Sequence, residues 1–118
     1  MPINRGEIYF ISLDPAIGME IGGNKSRPAV VLSINDINRK PLTVTVVPGT
    51  KAGDKRTDYR NAALISPSPS NRLAFDTIFQ GHQIRAVDHV RFVKGPIGCL
   101  SDREMTAVEN AVRYSLGL

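Results

Sequence analysis

The sequence predicts a mainly β protein: a small, curled antiparallel sheet or SH3-like β-barrel with one α-helix at the C-terminal end. Two observations lead to this fold class. Several short runs of β-branched and aromatic residues alternate with segments rich in glycine, proline and polar residues. A single long stretch with helical periodicity follows them, near the end of the chain. Many short strands beside one helix are typical of a sheet that curls and packs against that helix.

Six strands are predicted from β propensity and from the breakers between them. They span residues 7–13, 29–34, 43–47, 62–65, 77–87 and 91–97. The second is mostly apolar, as expected of a strand covered on both faces. Gly81, in the middle of the fifth, predicts a bulge or bend. Residues 35–41 are expected to form a turn, and the polar segments 14–26 and 48–61 are long enough to be functional loops.

The C-terminal stretch contains the signals of a helix. Ser101 and Glu104 have the spacing of a capping box, in which each side chain bonds a free backbone N–H near the other residue. Apolar residues then recur at intervals of three and four, which predicts one face packed on the sheet. These residues are Met105, Val108, Val112 and Leu116. Gly117 is a natural end for the helix.

Length, charge and cysteine content limit the functional classes. The 118 residues suit one domain, residues 1–118, and the 15 Lys and Arg against 11 Asp and Glu give a net charge of +4. This balance favours a polyanionic partner such as nucleic acid, although a merely solvated basic surface fits as well. Cys99 is the one cysteine, so no internal disulfide is possible. Without a recognisable signal peptide the cytoplasm is the expected compartment, and no apolar run approaches the ~20 residues that cross a membrane.

Several kinds of chemistry find no support in the sequence. His82 and His89 are separated by seven positions, and their spacing relative to Cys99 matches no structural zinc pattern, so we expect no metal and no cofactor. There is no G-x-x-x-x-G-K-[ST] phosphate loop, no G-x-G-x-x-G fingerprint and no G-x-S-x-G nucleophile motif. Nucleotide hydrolysis and esterase activity are therefore poorly supported.

A group of polar residues at predicted strand ends and in the basic loops could cleave RNA without a metal. The reaction needs a base for the 2′-hydroxyl, a cation or donors for the charge that grows on phosphorus oxygens, and an acid for the leaving 5′ oxygen. Arg27 suits the second task, because a guanidinium binds phosphate in bidentate fashion and stays charged. The group comprises Glu20, Arg27, Thr50, Gln80, His82, Gln83 and Arg85.

Each candidate also has a purely structural interpretation. Arg27 fits an ion pair with Glu20 or with another carboxylate on the sheet edge as well as it fits a phosphate. Thr50 fits a turn hydroxyl bonded to its own backbone better than a site residue. His82 on a half-buried strand is usually a structural histidine, although an imidazole can transfer protons near neutral pH. The cations of the second loop form a solvated surface unless RNA is present. They include Lys51, Lys55 and Arg56.

The order of motifs along nearly the whole chain resembles the MazF/PemK family of toxin endoribonucleases, the mRNA interferases. The motifs are RGEIYF, GMEIGG, SRPAVVLS, VVPGTK, DTIFQGHQIRAVD and IGCLSDREM. The resemblance implies a homodimeric, SH3-like (PemK-type) β-barrel with a terminal helix, acting as the toxin of a type II toxin–antitoxin system. It also implies sequence-specific cleavage of single-stranded mRNA without a metal or cofactor, to a 2′,3′-cyclic phosphate and a 5′-hydroxyl, and inhibition by a cognate antitoxin.

By position in these motifs, Arg27 matches the arginine that stabilises the charged phosphorane, and Thr50 matches the threonine that closes the same site. His82 is predicted to transfer a proton, although relatives often have an acidic residue at this position. The predicted RNA-binding residues are Glu20, Asn24, Lys25, Lys51, Lys55, Arg56, Gln80, Gln83 and Arg85. The Pro48-Gly49 pair departs from many relatives and could move the Thr50 hydroxyl. The longer loop before Arg27 prevents transfer of the cut-site sequence.

Two alternatives remain open on the sequence alone. A gyrase-poisoning toxin of the same fold would act through its C-terminal residues and alter supercoiling. A non-catalytic RNA-binding barrel would bind RNA in a salt-dependent manner and leave it intact.

Overall fold

An antiparallel sheet of seven strands forms the centre of the computed structural model, which describes residues 2–22, 26–53 and 59–118. The strands are β1 (Glu7–Ile11), β2 (Arg27–Val31), β3 (Val44–Lys51), β4 (Ala62–Ile65), β5 (Thr77–Gln80), β6 (Arg85–Val87) and β7 (Gly98–Cys99). The helices are α1 (Asn35–Asn38) and α2 (Asp102–Leu116), and 3-10 turns occur at Gly81–Gln83 and His89–Arg91. The predicted fold class, a mainly β curled antiparallel sheet with a C-terminal helix, is confirmed.

Strand β3 curls the sheet because it belongs to both of its halves. The strand order is β4-β5-β3-β2-β1-β7, and β6 also pairs with β3. The first residues of β3 pair with β6, its middle pairs with β2, and its last three residues, 49–51, pair with β5. Thr50 therefore lies where the sheet passes from one half to the other.

One face of the sheet is buried against α2, and a second apolar cluster buries the opposite face over β1, β2, β6 and the start of β3. On the helix side, Phe79 and Val47 pack with α2 residues such as Val108. The opposite cluster includes Tyr9 and Val31. The cores are completed by Ile8, Val30, Ala63, Ile65, Leu73, Leu100, Met105, Ala111 and Val112 on the helix side, and by Ile3, Ile11, Leu13, Ala29, Val44, Val46 and Val87 on the other. Neighbouring residues of β2 thus enter different clusters, which explains its apolar sequence.

Glycine permits two close approaches on the helix side. A Cβ atom at Gly49 would lie 2.7 Å from Thr77 Cγ2 and 3.1 Å from the Phe79 ring. At Gly81 it would lie 2.6 Å from the carbonyl group of Ala111 in α2. Any other residue at these positions would force β3 away from β5, or the turn Gly81–Gln83 away from the helix.

Helix α2 begins with the predicted capping box. Ser101 Oγ accepts from the Glu104 N–H at 3.2 Å, and Glu104 Oε1 accepts from the Ser101 N–H at 2.9 Å. Gly117 ends the helix in the left-handed conformation at φ 73°. The predicted apolar stripe is wrong at Leu116, which is 53% exposed. Ala111, which is not part of the predicted stripe, is buried instead, because it packs against the turn at Gly81.

Several predicted boundaries are wrong. The strand expected over 77–87 is two strands, β5 and β6, because the bend predicted at Gly81 is a 3-10 turn that ends the pairing. The strand expected over 91–97 is absent from that described segment; the Asp88 carboxylate starts a turn by accepting from the Val90 N–H at 2.9 Å, and pairing resumes only at β7. Strand β3 runs through Lys51, and α1 lies within the predicted turn 35–41. Strands β1 and β2 end earlier than predicted, at Ile11 and Val31.

Candidate active site

Arg27 and Thr50 lie side by side on neighbouring strands. Ala29 of β2 faces Pro48 of β3, and continuing this antiparallel register by two residues places Arg27 opposite Thr50. The Arg27 Nη1 atom is 3.4 Å from Thr50 Oγ1, a long hydrogen bond in which the hydroxyl accepts. Both side chains are half-buried. Pro48 and Gly49 therefore leave the hydroxyl beside the guanidinium, and Thr50 lies in a strand rather than in the turn that its alternative interpretation required.

Among the residues that the structure describes, a backbone carbonyl and no carboxylate holds the Arg27 guanidinium. Its Nε–H donates to the Gly22 carbonyl at 2.7 Å. Glu20 instead accepts from the Ile17 N–H at 2.7 Å, and within residues 2–22, 26–53 and 59–118 the only ion pair joins Arg5 to Glu109. The Arg27–Glu20 pair is thus not formed in the described structure. Counting contacts to described residues alone, two of the five guanidinium N–H groups are engaged, and three are available to an anionic ligand.

A groove extends from Thr50 across the outer face of β5 to His82. Its volume is about 380 Å³. Thr50 faces Ile78 across the β3–β5 pair, and Gln80 projects on the same face two residues later. The groove is lined by Thr50, Tyr59, Asn61, Ala62, Ile78, Gln80 and His82. It therefore joins all three predicted chemical groups, because Arg27 contacts Thr50 at one end and His82 stands at the other.

His82 is exposed in the turn Gly81–Gln83, where its ring is oriented by Asn61. The Asn61 Nδ2 atom lies 2.7 Å from His82 Nδ1. In this orientation of the Asn61 amide the nitrogen donates and Nδ1 accepts, which corresponds to the neutral tautomer with its proton on Nε2. Asn61 is not among the predicted site residues. The one cue in the sequence is that Asn61 is a polar residue directly before a predicted strand. The first residue of that strand, Ala62, pairs with Gln80, which brings Asn61 close to His82.

Three predicted RNA-binding residues contact the β1–β2 loop, by which we mean residues 12–22. Gln83 Nε2 donates to the Met19 carbonyl at 2.9 Å, and its Oε1 accepts from the Ile21 N–H at 3.1 Å. Arg85 Nη1 donates to the Leu13 carbonyl at 3.2 Å. Glu20 lies within the loop itself. RNA binding by these side chains remains a prediction, whereas their contacts show that they shape the loop.

Arg91, which was also not predicted, binds the first residues of the same loop through hydrogen bonds. Its Nη1 atom donates to the carbonyls of Ser12 at 2.7 Å and Asp14 at 3.0 Å. Arg91 lies in the 3-10 turn His89–Arg91. It was not predicted as a loop contact because a strand was expected over 91–97. His89, in the same turn, is exposed and does not line the groove.

The remaining predicted site residues are only partly described. Gln80 lines the groove, and the exposed Lys51 places its ammonium group 4.1 Å from the centre of the Phe75 ring, a cation–π contact. Asn24, Lys25, Lys55 and Arg56 lie outside the described residues. Across the described part of the chain, no three His, Cys, Asp or Glu side chains form a group suited to a metal ion. The same residues contain no helix long and apolar enough to span a bilayer.

Comparison with known sequences identifies relatives over nearly the full length. Endoribonuclease MazF9 of Mycobacterium tuberculosis is 34% identical, and the match covers 98% of this chain and 98% of that protein. Endoribonuclease MazF of Staphylococcus saprophyticus is 32% identical, with 98% of this chain and 92% of that protein covered.

Solved structures share the fold. MazF from Deinococcus radiodurans superposes with a TM-score of 0.80 at 19% identity, covering 100% of this chain and 99% of that one. A mycobacterial endoribonuclease in complex with its cognate antitoxin gives a TM-score of 0.73 at 20% identity, covering 98% and 96%. The family model described as PemK-like, MazF-like toxin of type II toxin-antitoxin system matches residues 4–116. With the curated relatives and the shared fold, this match establishes that the chain belongs to the PemK-like, MazF-like toxin family.

Proposed function

We propose that this toxin is a metal-independent, sequence-specific endoribonuclease that cleaves single-stranded mRNA. The curated relatives are endoribonucleases, and the observation that carries the proposal here is the Arg27 guanidinium beside the Thr50 hydroxyl at one end of an open groove. In the reaction, the 2′-oxygen forms a bond to the adjacent phosphorus and the bond from phosphorus to the 5′ oxygen breaks. The 2′-hydroxyl loses a proton and the 5′ oxygen gains one, which leaves a 2′,3′-cyclic phosphate and a 5′-hydroxyl.

Arg27 is proposed to stabilise the negative charge that develops on the nonbridging phosphate oxygens. The three N–H groups that contact no described residue can bind two phosphate oxygens in parallel, and the Nε contact with the Gly22 carbonyl fixes the plane of the guanidinium before substrate arrives. Such preorganised donors typically contribute ~10²- to 10³-fold to the rate. Thr50 supplies a second polar group at the same point, and its contact with Nη1 helps to hold that end of the cation.

His82 is proposed to transfer a proton at the other end of the groove. With Asn61 donating to Nδ1, the neutral ring presents Nε2–H outward, where it can donate a hydrogen bond to a phosphate oxygen. Rotation of the Asn61 amide would let its oxygen accept from Nδ1–H and leave Nε2 as a base for the 2′-hydroxyl. The imidazolium formed in that step is then the acid that protonates the leaving 5′ oxygen. Asn61 is therefore proposed as a positioning residue for His82.

We also propose the partners that the family membership suggests. MazF of Deinococcus radiodurans was crystallised with MazE, and a mycobacterial endoribonuclease with its cognate antitoxin; a cognate antitoxin is proposed for this chain too. A homodimer is supported by exposed apolar side chains such as Leu64 on the outer strand β4, at 46% exposure. Sedimentation as a monomer at micromolar concentration would refute the dimer. The cytoplasm, where mRNA is available, is the proposed compartment.

Cleavage of a defined single-stranded transcript in the presence of EDTA tests the enzymatic proposal. We expect discrete fragments with 5′-hydroxyl ends and 2′,3′-cyclic phosphates, and mapping their ends would also identify the recognised sequence. Intact RNA that is nevertheless retained by the protein would favour the non-catalytic barrel and refute the proposal. Altered gyrase supercoiling with intact RNA would favour the gyrase-poisoning alternative.

A further inference from the structure

We infer that Gln83 is a positioning residue for Arg27, and that it acts by holding the end of the β1–β2 loop to which the guanidinium is bound. The inference rests on the proposed ribonuclease function and gives Gln83 a role different from the RNA contact that its sequence position predicted.

The Gln83 side chain binds the loop as a neighbouring strand would. Its amide donates to the carbonyl of Met19 and accepts from the N–H of Ile21, the two backbone groups that a strand presents to a partner at positions i and i+2. Glutamate could accept but not donate, and asparagine is shorter by one methylene. Both polar ends of a half-buried side chain are therefore used to fix backbone, which is the arrangement expected of a structural contact at a site.

The residue that Gln83 binds, Ile21, directly precedes the residue whose carbonyl binds Arg27. Ile21, whose N–H is held by Gln83, is followed by Gly22, whose carbonyl accepts from Arg27 Nε at 2.7 Å. Gly22 is also packed closely, because a Cβ atom there would lie 2.4 Å from Ala16 Cβ. The Gly22 carbonyl thus has little freedom while Gln83 holds Ile21. Without the hydrogen bonds from Gln83, the Gly22 carbonyl that orients the guanidinium can move with the loop.

The beginning of the loop is held by different side chains. Arg91 donates to two carbonyls there, those of Ser12 and Asp14, and Arg85 donates to that of Leu13. Arg91 and Gln83 therefore make the same number of hydrogen bonds to the same loop. Gln83 bonds Ile21, which directly precedes Gly22 in the chain, whereas Arg91 bonds residues at the opposite end of the loop, of which Asp14 approaches Gly22 through its side chain. This difference provides a matched control within the chain.

The test compares Gln83→Met with Arg91→Met in the full-length protein. Methionine preserves the length of either side chain approximately and removes its hydrogen bonds. For Gln83→Met we expect kcat to fall about 10- to 100-fold, since small displacements of a catalytic group have effects of this size, while KM changes less than about twofold. The ¹H–¹⁵N signal of Arg27 Nε–H should shift or broaden. Arg91→Met should leave kcat within about twofold and that signal in place.

Opposite results would overturn the inference. A raised KM at unchanged kcat in Gln83→Met would indicate that Gln83 binds RNA. An unperturbed Arg27 Nε–H signal would show that the hydrogen bonds of Gln83 to the loop do not orient Arg27. If Gln83→Met does not fold, Gln83→Glu provides the same test, because it keeps the acceptor for Ile21 and loses the donor for Met19; wild-type kcat in that variant would also refute the role. Absence of cleavage by the wild-type protein would refute the proposed function alone, because the Nε–H measurement does not depend on activity.

Discussion

The two faces of the β3–β5 pair differ sharply although they are built from alternating residues of the same strands. Gly49 and Phe79 are paired and face α2, and Phe79 is fully buried. Thr50 and Ile78 are the next pair and face the groove, followed by Gln80. One face belongs to the hydrophobic core and the other lines the candidate active site, and adjacent residues of each strand lie on opposite faces.

This contrast teaches that the strand register decides where the chemistry lies. A shift of one residue in β3 would turn Thr50 into the core and bring Gly49, which has no side chain, beside Arg27. The close packing at Gly49 against Thr77 and Phe79 opposes such a shift. The inner face therefore maintains the geometry of the outer face, and substitutions on the two faces should affect different measurements.

The largest expected effect is on the inner face. Phe79→Ala should lower the free energy of unfolding by about 3–5 kcal/mol, because it removes a buried ring and leaves a cavity against α2. Urea denaturation followed by circular dichroism measures the change. Gln80→Ala, the neighbouring residue on the outer face, is the matched control and should change stability by less than about 0.5 kcal/mol. Equal stability of the two variants would contradict the division between the faces.

On the site side, Arg27→Ala should reduce the cleavage rate ~10²- to 10³-fold, because the fixed cation for the phosphorane is lost. The rate constant of a single-turnover assay on a defined RNA measures this loss, and the melting temperature should stay close to that of the wild type. Lys94→Ala removes an exposed cation outside the groove and should retain nearly full activity. Comparable losses in both variants would mean that Arg27 contributes only to the general positive charge.

A smaller loss is expected for Thr50→Val, which keeps the shape of the side chain and removes the hydroxyl. The cleavage rate should fall about tenfold, at the lower end of what a hydrogen bond to a charged group contributes, because the contact at 3.4 Å is long. Thr50→Ser should restore most of the rate in the same assay. An equal defect in both variants would indicate that the methyl group, and not the hydroxyl, matters at this position.

The smallest expected effect concerns the helix that supports the inner face. Ser101→Ala breaks the capping box of α2 and should cost about 1 kcal/mol of stability. Chemical denaturation measures the loss, and cleavage activity at 25 °C should be unchanged because the folded protein still predominates. Reduced activity in fully folded Ser101→Ala would show that the helix end communicates with the groove.

Features that depend on interactions between near neighbours in the chain were predictable from the residues alone. The capping box at Ser101 and Glu104, the end of the helix at Gly117 and the mainly β character are local effects of hydrogen bonding and side-chain shape, and each was predicted. The site was also anticipated in part, since Arg27 and Thr50 were predicted together and the structure brings them into contact.

Features that depend on contacts between distant segments could not be predicted and became visible in the folded chain. The strand predicted through Gly81 is broken where that turn packs on Ala111 of α2, 30 residues further along the chain. Asn61 meets His82 across 21 positions, and Gln83 reaches the β1–β2 loop across more than 60. Propensity and periodicity describe near neighbours, so they cannot indicate which remote backbone group a polar side chain will bind.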